Sequence, residues 1–388
     1  MSRDMEPLPG TVRTRTPEDT WAAISPHLKR FGITRVARLT HLDYLGLPVH
    51  TAIRPAAHTS TASPGRGATP LTADISAVMA AIELWHCEQP IAPVLRASTH
   101  DAAPPYPLSA LPLKVPEAAR ALEHVPVEWA VGTGLRSGRA VPVPTGLVHR
   151  PASRPPWQPD LFRTTGTGLA CGDTRDEAVL HALYEVIERD TLHADDRAAG
   201  RRRTFIDPAT VDDPYCRTVL DRLREADLLL ELAIVDNPYR VPTCLAYVWS
   251  EDYPVWFAGA GTDTDPHIAL TRAVTEAAQN RLTRIAGIRD DLPFHEKAFE
   301  ATLLRPQTAE GLNPWGARIA HHQPWRGSFA DQVTQAADRI ERVTRYEPVC
   351  LDLSDSADPV AAVKVICPAT RDRCFVSTAG VLAGRPLR

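Results

Sequence analysis

Three stretches of the chain carry polar residues at one spacing. Ser76, Ala80 and Glu83 stand at offsets 0, 4 and 7 within SAVMAAIE, and His181, Glu185 and Glu188 repeat the pattern within HALYEVIE. Arg272, Glu276 and Gln279 repeat it again within RAVTEAAQ. In a helix those offsets stack side chains on a single face. Apolar residues fill the adjoining face: Ile75, Val78, Met79 and Ile82 in the first stretch, Val179, Leu180, Leu183, Val186 and Ile187 in the second. Glu177 lengthens the second stripe, and Arg189 and Asp190 lie beside it. Stacked carboxylates repel by a few tenths of a kcal/mol when exposed, and by more when buried. A cation should therefore sit against them. Mg²⁺ suits the donors, because hard cations take carboxylate oxygens and share their coordination with substrate phosphates. One such helix alone reads as a solvated charged face. Three, each flanked by apolar residues, read as helices gathered round a cation.

Other motifs exclude more than they suggest. The glycine cluster GTGLACGDT (Gly166–Thr174) opens the second helix, and a helix N-terminus favours anions. No βαβ unit surrounds it, so it does not read as a dinucleotide fingerprint. Cys171 within it reads better as a small packed residue than as a nucleophile. His86 and the His321–His322 pair read as structural or exposed. No G-x-S-x-G elbow and no H-E-x-x-H motif occurs. Only four of the 43 cationic residues are lysines (Lys29, Lys114, Lys297 and Lys364), and none follows a glycine. A P-loop, whose lysine must reach the terminal phosphates, is thereby excluded. The seven cysteines are scattered, with neither zinc spacing nor the pattern of a disulfide framework.

The elements that must position these residues alternate irregularly. Residues 1–16 read as an irregular arm. Helices are predicted over Asp19–Lys29, Thr72–Gln89, Arg175–Ala194, Arg217–Ala226, His267–Ala286 and Asp331–Thr344. Strands are predicted over Thr34–Leu39, Val49–Arg54, Leu229–Asp236, Thr243–Trp249, Val255–Ala260, Val349–Leu353 and Val360–Ile366, with a hairpin about Ser137–Gly138 in VEWAVGTGLRSGRAVPV. Ser63–Pro70 reads as a Gly/Pro/Ser-rich loop, residues 98–126 as a proline-rich insertion crossing the surface, and Pro151–Pro159 as a connector. Proline is 36 of 388 residues, and these connectors account for the excess. The pattern predicts an α+β protein of mixed α/β layers, with 17–388 as one domain. A net charge of −4 and a pI near 6.4 argue against a general nucleic-acid or membrane-surface binder. With no apolar N-terminal region and no long apolar run, the chain reads as cytoplasmic.

The run GTGLACGDTRDEAVLHALYEVIERD resembles the signature of the YcaO superfamily. ISAVMAAIELWHCE resembles that family's first nucleotide-site helix, EAAQNRLTRIAGIRDD its third, and PEDTWAAISPHLKRFGITRVARLTHLDYLGLPV its opening. The resemblance spans roughly residues 10–370. It implies an enzyme that uses ATP and Mg²⁺ without a P-loop. Such an enzyme activates a backbone amide of a ribosomally made precursor peptide by phosphorylating the amide oxygen after a nucleophile attacks. A side-chain nucleophile gives an azoline, an amine gives a macrocyclic amidine, and sulfide gives a thioamide, the last with a TfuA-type partner. Carried over by position, Glu83, Glu185 and Glu188 are the metal ligands. Ser76, Glu177, Arg189, Gln279 and Arg281 line the nucleotide. A homodimer is also implied.

The departures from the family pattern are specific. Ala80 stands where the family has a glutamate, the family's N-terminal lysine is replaced near Pro9, and Thr167 and Asp173 stand for asparagines. They leave open a degenerate member that binds peptide or a partner without turnover. The chain ends in AGRPLR, without a proline-alternating tail and with no fused leader-binding domain, which points to a standalone member.

Overall fold

The structure is a computed structural model describing residues 5–152, 159–288 and 306–371. Every strand ladder in it is antiparallel. Helices cover the sheets, so the predicted α+β class with mixed layers is what the chain adopts.

The segment read as an irregular arm forms a hairpin instead, β1 (Glu6–Leu8) and β2 (Thr11–Arg13). Pro9 and Gly10 turn it, a pairing too short to leave a hydrophobic period in the sequence. Helix α1 (Pro17–Ile24) follows, capped by the Thr16 side chain. A sheet of β3 (Arg35–Arg38), β4 (Val49–Ile53) and β5 (Ala62–Arg66) then packs on α2 (Pro70–Glu88). Strand β5 corrects the predicted Ser63–Pro70 loop. Pro64 is tolerated because β5 is an edge strand. Gly65 is required because α2 lies directly on it: a Cβ there would stand 2.0 Å from the Ala77 amide nitrogen. Residues that read as a loop signal are here the condition for strand and helix to touch.

The largest sheet has the order β6 (Leu95–Ala97), β7 (Val127–Gly134), β14 (Val349–Asp352), β15 (Ala361–Ile366), β9 (Leu169–Gly172), with β8 (Ala140–Pro144) on β7. The stretch 98–126, expected to cross the surface, instead lies over one face of this sheet. It carries only short helices, α3 (Thr99–Ala102) and α4 (Ala119–Leu122), yet buries Tyr106, Leu108, Leu111 and Leu113 against Trp129, Val143 and Phe162. At about 1.5–3 kcal/mol per buried large apolar side chain, this segment is part of the core.

The long helix α5 (Arg175–Arg197) packs its apolar face, Val179, Leu180, Leu183 and Ile187, on the other side. Nothing in it breaks a helix before Gly200, and Thr174 caps its start by accepting from the Glu177 amide. The last sheet joins β10 (Arg203–Ile206), β11 (Leu229–Val235), β12 (Thr243–Trp249) and β13 (Phe257–Thr262) in sequence order. Helices α6 (Pro214–Glu225) and α7 (Pro266–Ile285) cover one face of it, and Leu192 of α5 sits with the core on the other. Among the described residues, helix α8 (Trp315–Ile319) and helix α9 (Phe329–Thr344) come next, before β14 and β15. Among the described residues no helix is long and apolar enough to cross a membrane.

Candidate functional site

The second and third polar stripes meet, and Glu83 of the first lies within electrostatic reach of Glu185. Arg272 of α7 directs its guanidinium to His181 of α5, Nη1 to Nδ1 at 3.4 Å. Burial, then Arg272, Arg13 and Arg66, hold that imidazole well below its usual pKa, so it stays neutral and accepts from Arg272. Glu83 of α2 accepts from the Cys171 amide of β9 at 2.9 Å, and Glu185 accepts from the Gly168 amide at 3.1 Å. Gly168 has φ of +77°, and a Cβ would stand 2.2 Å from the Val365 carbonyl oxygen. The glycine cluster thus bends so that its own amides meet the carboxylates. Its second half is strand β9, paired with β15, so strand, turn and helix are present without a parallel βαβ unit.

Charge is heavily concentrated here. Burial raises the Glu83 carboxyl to about 8, opposed by the Cys171 N–H and reinforced by Glu185. Burial likewise raises Glu188 to about 7, with Arg189 opposing and Glu276 and Glu185 adding to it. Asp263, just beyond β13, is raised to about 6 by burial, against Arg272 and Arg13. These are carboxylates whose ionised forms are only partly compensated. Arg189 supplies a little: its Nη2 is 3.6 Å from Glu185 and 4.0 Å from Glu188.

Sequence reasoning missed two of the site's cations. Arg66, inside the supposed loop, donates to Thr275 Oγ1 and Gln279 Oε1 at 3.0 Å, to the Arg272 carbonyl at 3.3 Å and to Glu276 at 3.2 Å. Arg13, in the supposed arm, reaches Glu177 at 3.3 Å, and Thr14 gives Glu177 both its amide and its hydroxyl, at 3.0 and 2.6 Å. Only the abundance of arginine hinted at them. Lys364, among the few lysines, is buried and donates to the carbonyls of Thr165 and Thr167 at 2.7 and 2.8 Å, fixing the loop that presents Gly168.

Of the predicted nucleotide residues, Glu177, Arg189 and Gln279 lie in this network. Ser76 is on α2 along the stretch that meets β5. Arg281 stands apart: five residues beyond Glu276, it turns to another face and is held by Asp43 at 2.9 Å, Ser250 at 2.6 Å and Asp252 at 3.1 Å. Its donors are taken up by protein partners. Asp173, standing for an asparagine, accepts from the Thr20 hydroxyl at 2.7 Å and so ties α1 to the glycine motif.

The donor set fits Mg²⁺ in kind: all oxygen and mutually repelling, with Glu188 buried and Glu83 and Glu185 half-buried. Among the described residues no three acidic, histidine or cysteine side chains stand close enough to hold a metal by themselves. That accords with an ion taken by one or two carboxylates and completed by water and phosphate. The chain is thus an α+β protein whose helices gather carboxylates and guanidinium groups on one face.

The family model of YcaO cyclodehydratase, ATP- and Mg²⁺-binding, matches residues 64–371. The chain belongs to the YcaO family. A protein in the tfuA 3′ region of Rhizobium leguminosarum bv. trifolii is 34% identical over 384 residues, covering 92% of this chain and 88% of its own length. A heterocyclase solved with substrate and cofactor superposes with a TM-score of 0.76 at 21% identity, covering all of this chain. This chain spans 58% of that heterocyclase. YcaO from Methanopyrus kandleri, solved with AMPPCP and Mg²⁺, superposes with a TM-score of 0.66 at 20% identity over 96% and 95% of the two chains.

Proposed function

We propose that this chain uses Mg·ATP to phosphorylate a backbone amide oxygen of a ribosomally made precursor peptide, giving cyclodehydration to an azoline or a macrocyclic amidine. The observation that carries the reading is the set of facing carboxylates, Glu83, Glu185 and Glu188, beside Arg13, Arg66, Arg189 and Arg272. Phosphoryl transfer is mostly positioning and charge neutralisation, which is what such a face supplies. Of Glu83, Glu185 and Glu188, one or two at a time would hold Mg²⁺, with water and phosphate oxygens completing its shell, and the ion would neutralise charge on the transferring phosphate. Arg189, beside Glu185 and Glu188, and Arg13, partly exposed beside Glu177, would meet phosphate oxygens. Gln279 and Ser76 would line the nucleotide. Arg66 clamps Gln279 and Glu276 to one orientation, and neutral His181 holds Arg272 in place without competing for anions.

A second reading is thioamide formation with a TfuA-type partner. The Rhizobium relative in the tfuA 3′ region favours it. Incubating the protein with ATP, Mg²⁺ and the neighbouring precursor peptide, then measuring peptide mass, separates the two. Water loss supports the first reading. Exchange of oxygen for sulfur, with a sulfide source and the partner, supports the second. An unchanged peptide mass under both conditions contradicts both.

A further inference from the structure

A cavity of about 480 Å³ opens where the β11–β12 connection, the segment around His321–Trp325 and helix α9 meet. None of its lining residues belongs to the carboxylate site. Its floor is apolar, with Ile234 and Val241 buried. Its walls are cationic. Arg339 is fixed by donating Nη1 to the carbonyls of Tyr239 and Arg240 at 2.8 and 2.9 Å, and its guanidinium lies 5.0 Å from the Trp325 ring centre. Arg240 is exposed, and no hydrogen bond or ion pair engages its guanidinium among the described residues. The His321 and His322 rings lie 4.1 Å apart. The acid at the rim, Asp236, is engaged by Arg318 at 3.2 Å.

We propose that this cavity is a docking subsite for an acidic peptide segment, with carboxylates pairing to Arg240 and Arg339 and an apolar side chain resting on Trp325 and Val241. Arginine is suited to this, since its planar fork accepts a carboxylate through two parallel hydrogen bonds. A volume of this size takes a few side chains, not a folded surface. The local field agrees: burial, then His321 and Arg318, push the His322 imidazole down to about 4, with Asp236 and Arg339 acting in opposite directions. Nucleic acid fits less well. Two arginines confined to one cavity make no track for a phosphate backbone, while the apolar floor offers a peptide side chain a place to pack. The subsite deepens the reading of a peptide-modifying enzyme and rests on it only for the source of the segment, since docking precedes chemistry.

The test is fluorescence anisotropy of a labelled Glu-Glu-Leu-Glu-Glu peptide with the full-length protein at low salt. The expected result is saturable binding, weakened about tenfold by Arg240→Glu and by Trp325→Ala, with nucleotide binding unchanged in both variants. Arg240 is exposed on a turn, so R240E should fold, and its circular dichroism checks that. Equal binding of a Lys-Lys-Leu-Lys-Lys peptide, equal displacement by a short oligonucleotide, or unchanged affinity in folded R240E would overturn the subsite. Its fate is separable from that of the enzymatic reading. Peptide docking without any change of precursor mass keeps the subsite and removes the chemistry. Precursor modification by R240E at unchanged KM keeps the chemistry and removes the subsite.

Discussion

Replacing Glu83 with glutamine tests the electrostatics of the site without nucleotide or peptide. Burial raises the Glu83 carboxyl from the ordinary 4.5 to about 8. The fold therefore holds a proton there that the unfolded chain releases near pH 4.5. A group with a raised folded pKa contributes stability that is fully present below its unfolded value and is lost as pH rises through its folded value. The metal-free protein should thus lose stability between about pH 5 and 8. A shift of this size corresponds to roughly 4–5 kcal/mol at full value, and partial solvent access reduces it to about 2–4 kcal/mol. Glutamine keeps the shape, can accept from the Cys171 amide, and cannot ionise. E83Q should match wild type near pH 5 and exceed it by about 2–4 kcal/mol at pH 8. Urea denaturation at several pH values, in chelator, measures both curves. Other acids slope as well, Glu188 and Asp263 among them, so the difference between the two proteins is the informative quantity. Parallel curves would refute the burial of an uncompensated carboxylate at this position.

The other predictions concern the groups that shape the site. Arg13→Gln should cost under about 1 kcal/mol of stability, its ion pair being partly exposed, yet weaken Mg·AMPPCP binding about tenfold by titration calorimetry. Lys364→Met leaves the carbonyls of Thr165 and Thr167 without their donor and should lower stability by about 3 kcal/mol in denaturant titration. Gly65→Ala forces β5 from α2 and should cost about 3 kcal/mol, whereas alanine at Gly138, where nothing approaches within 4 Å, should cost about 1 kcal/mol for its φ of +65°. Glu188→Gln should abolish peptide-dependent phosphate release while leaving the fold intact. A scaffold without turnover would show no such release in wild type.

The long elements were legible because their periodicity is strong. Helices α2, α5 and α7 carry both an apolar face and a polar stripe, so spacing alone gathered Glu83, Glu185 and Glu188 with His181, Arg272 and Glu276. What escaped had no period to show. Strand β5 is five residues with a proline and a glycine, legible as a strand only once α2 is seen lying on it. The hairpin of β1 and β2 is held by what it touches, chiefly Glu177 through Arg13 and Thr14. Residues 98–126 look like a surface connector because prolines interrupt them, yet their tyrosine and leucines find a sheet face from other parts of the chain. Arg281 shows the converse: family position assigns it to the nucleotide, while its helical phase turns its guanidinium to Asp43 and Asp252.

The central claim is that the facing helices form a Mg²⁺-dependent nucleotide site. Titration calorimetry of the full-length protein with AMPPCP, with and without Mg²⁺ and with the precursor peptide present, tests it most directly. Saturable binding that requires Mg²⁺ and is lost in Glu188→Gln is the expected result. Absence of binding by folded wild-type protein, or binding indifferent to both Mg²⁺ and Glu188, would contradict it.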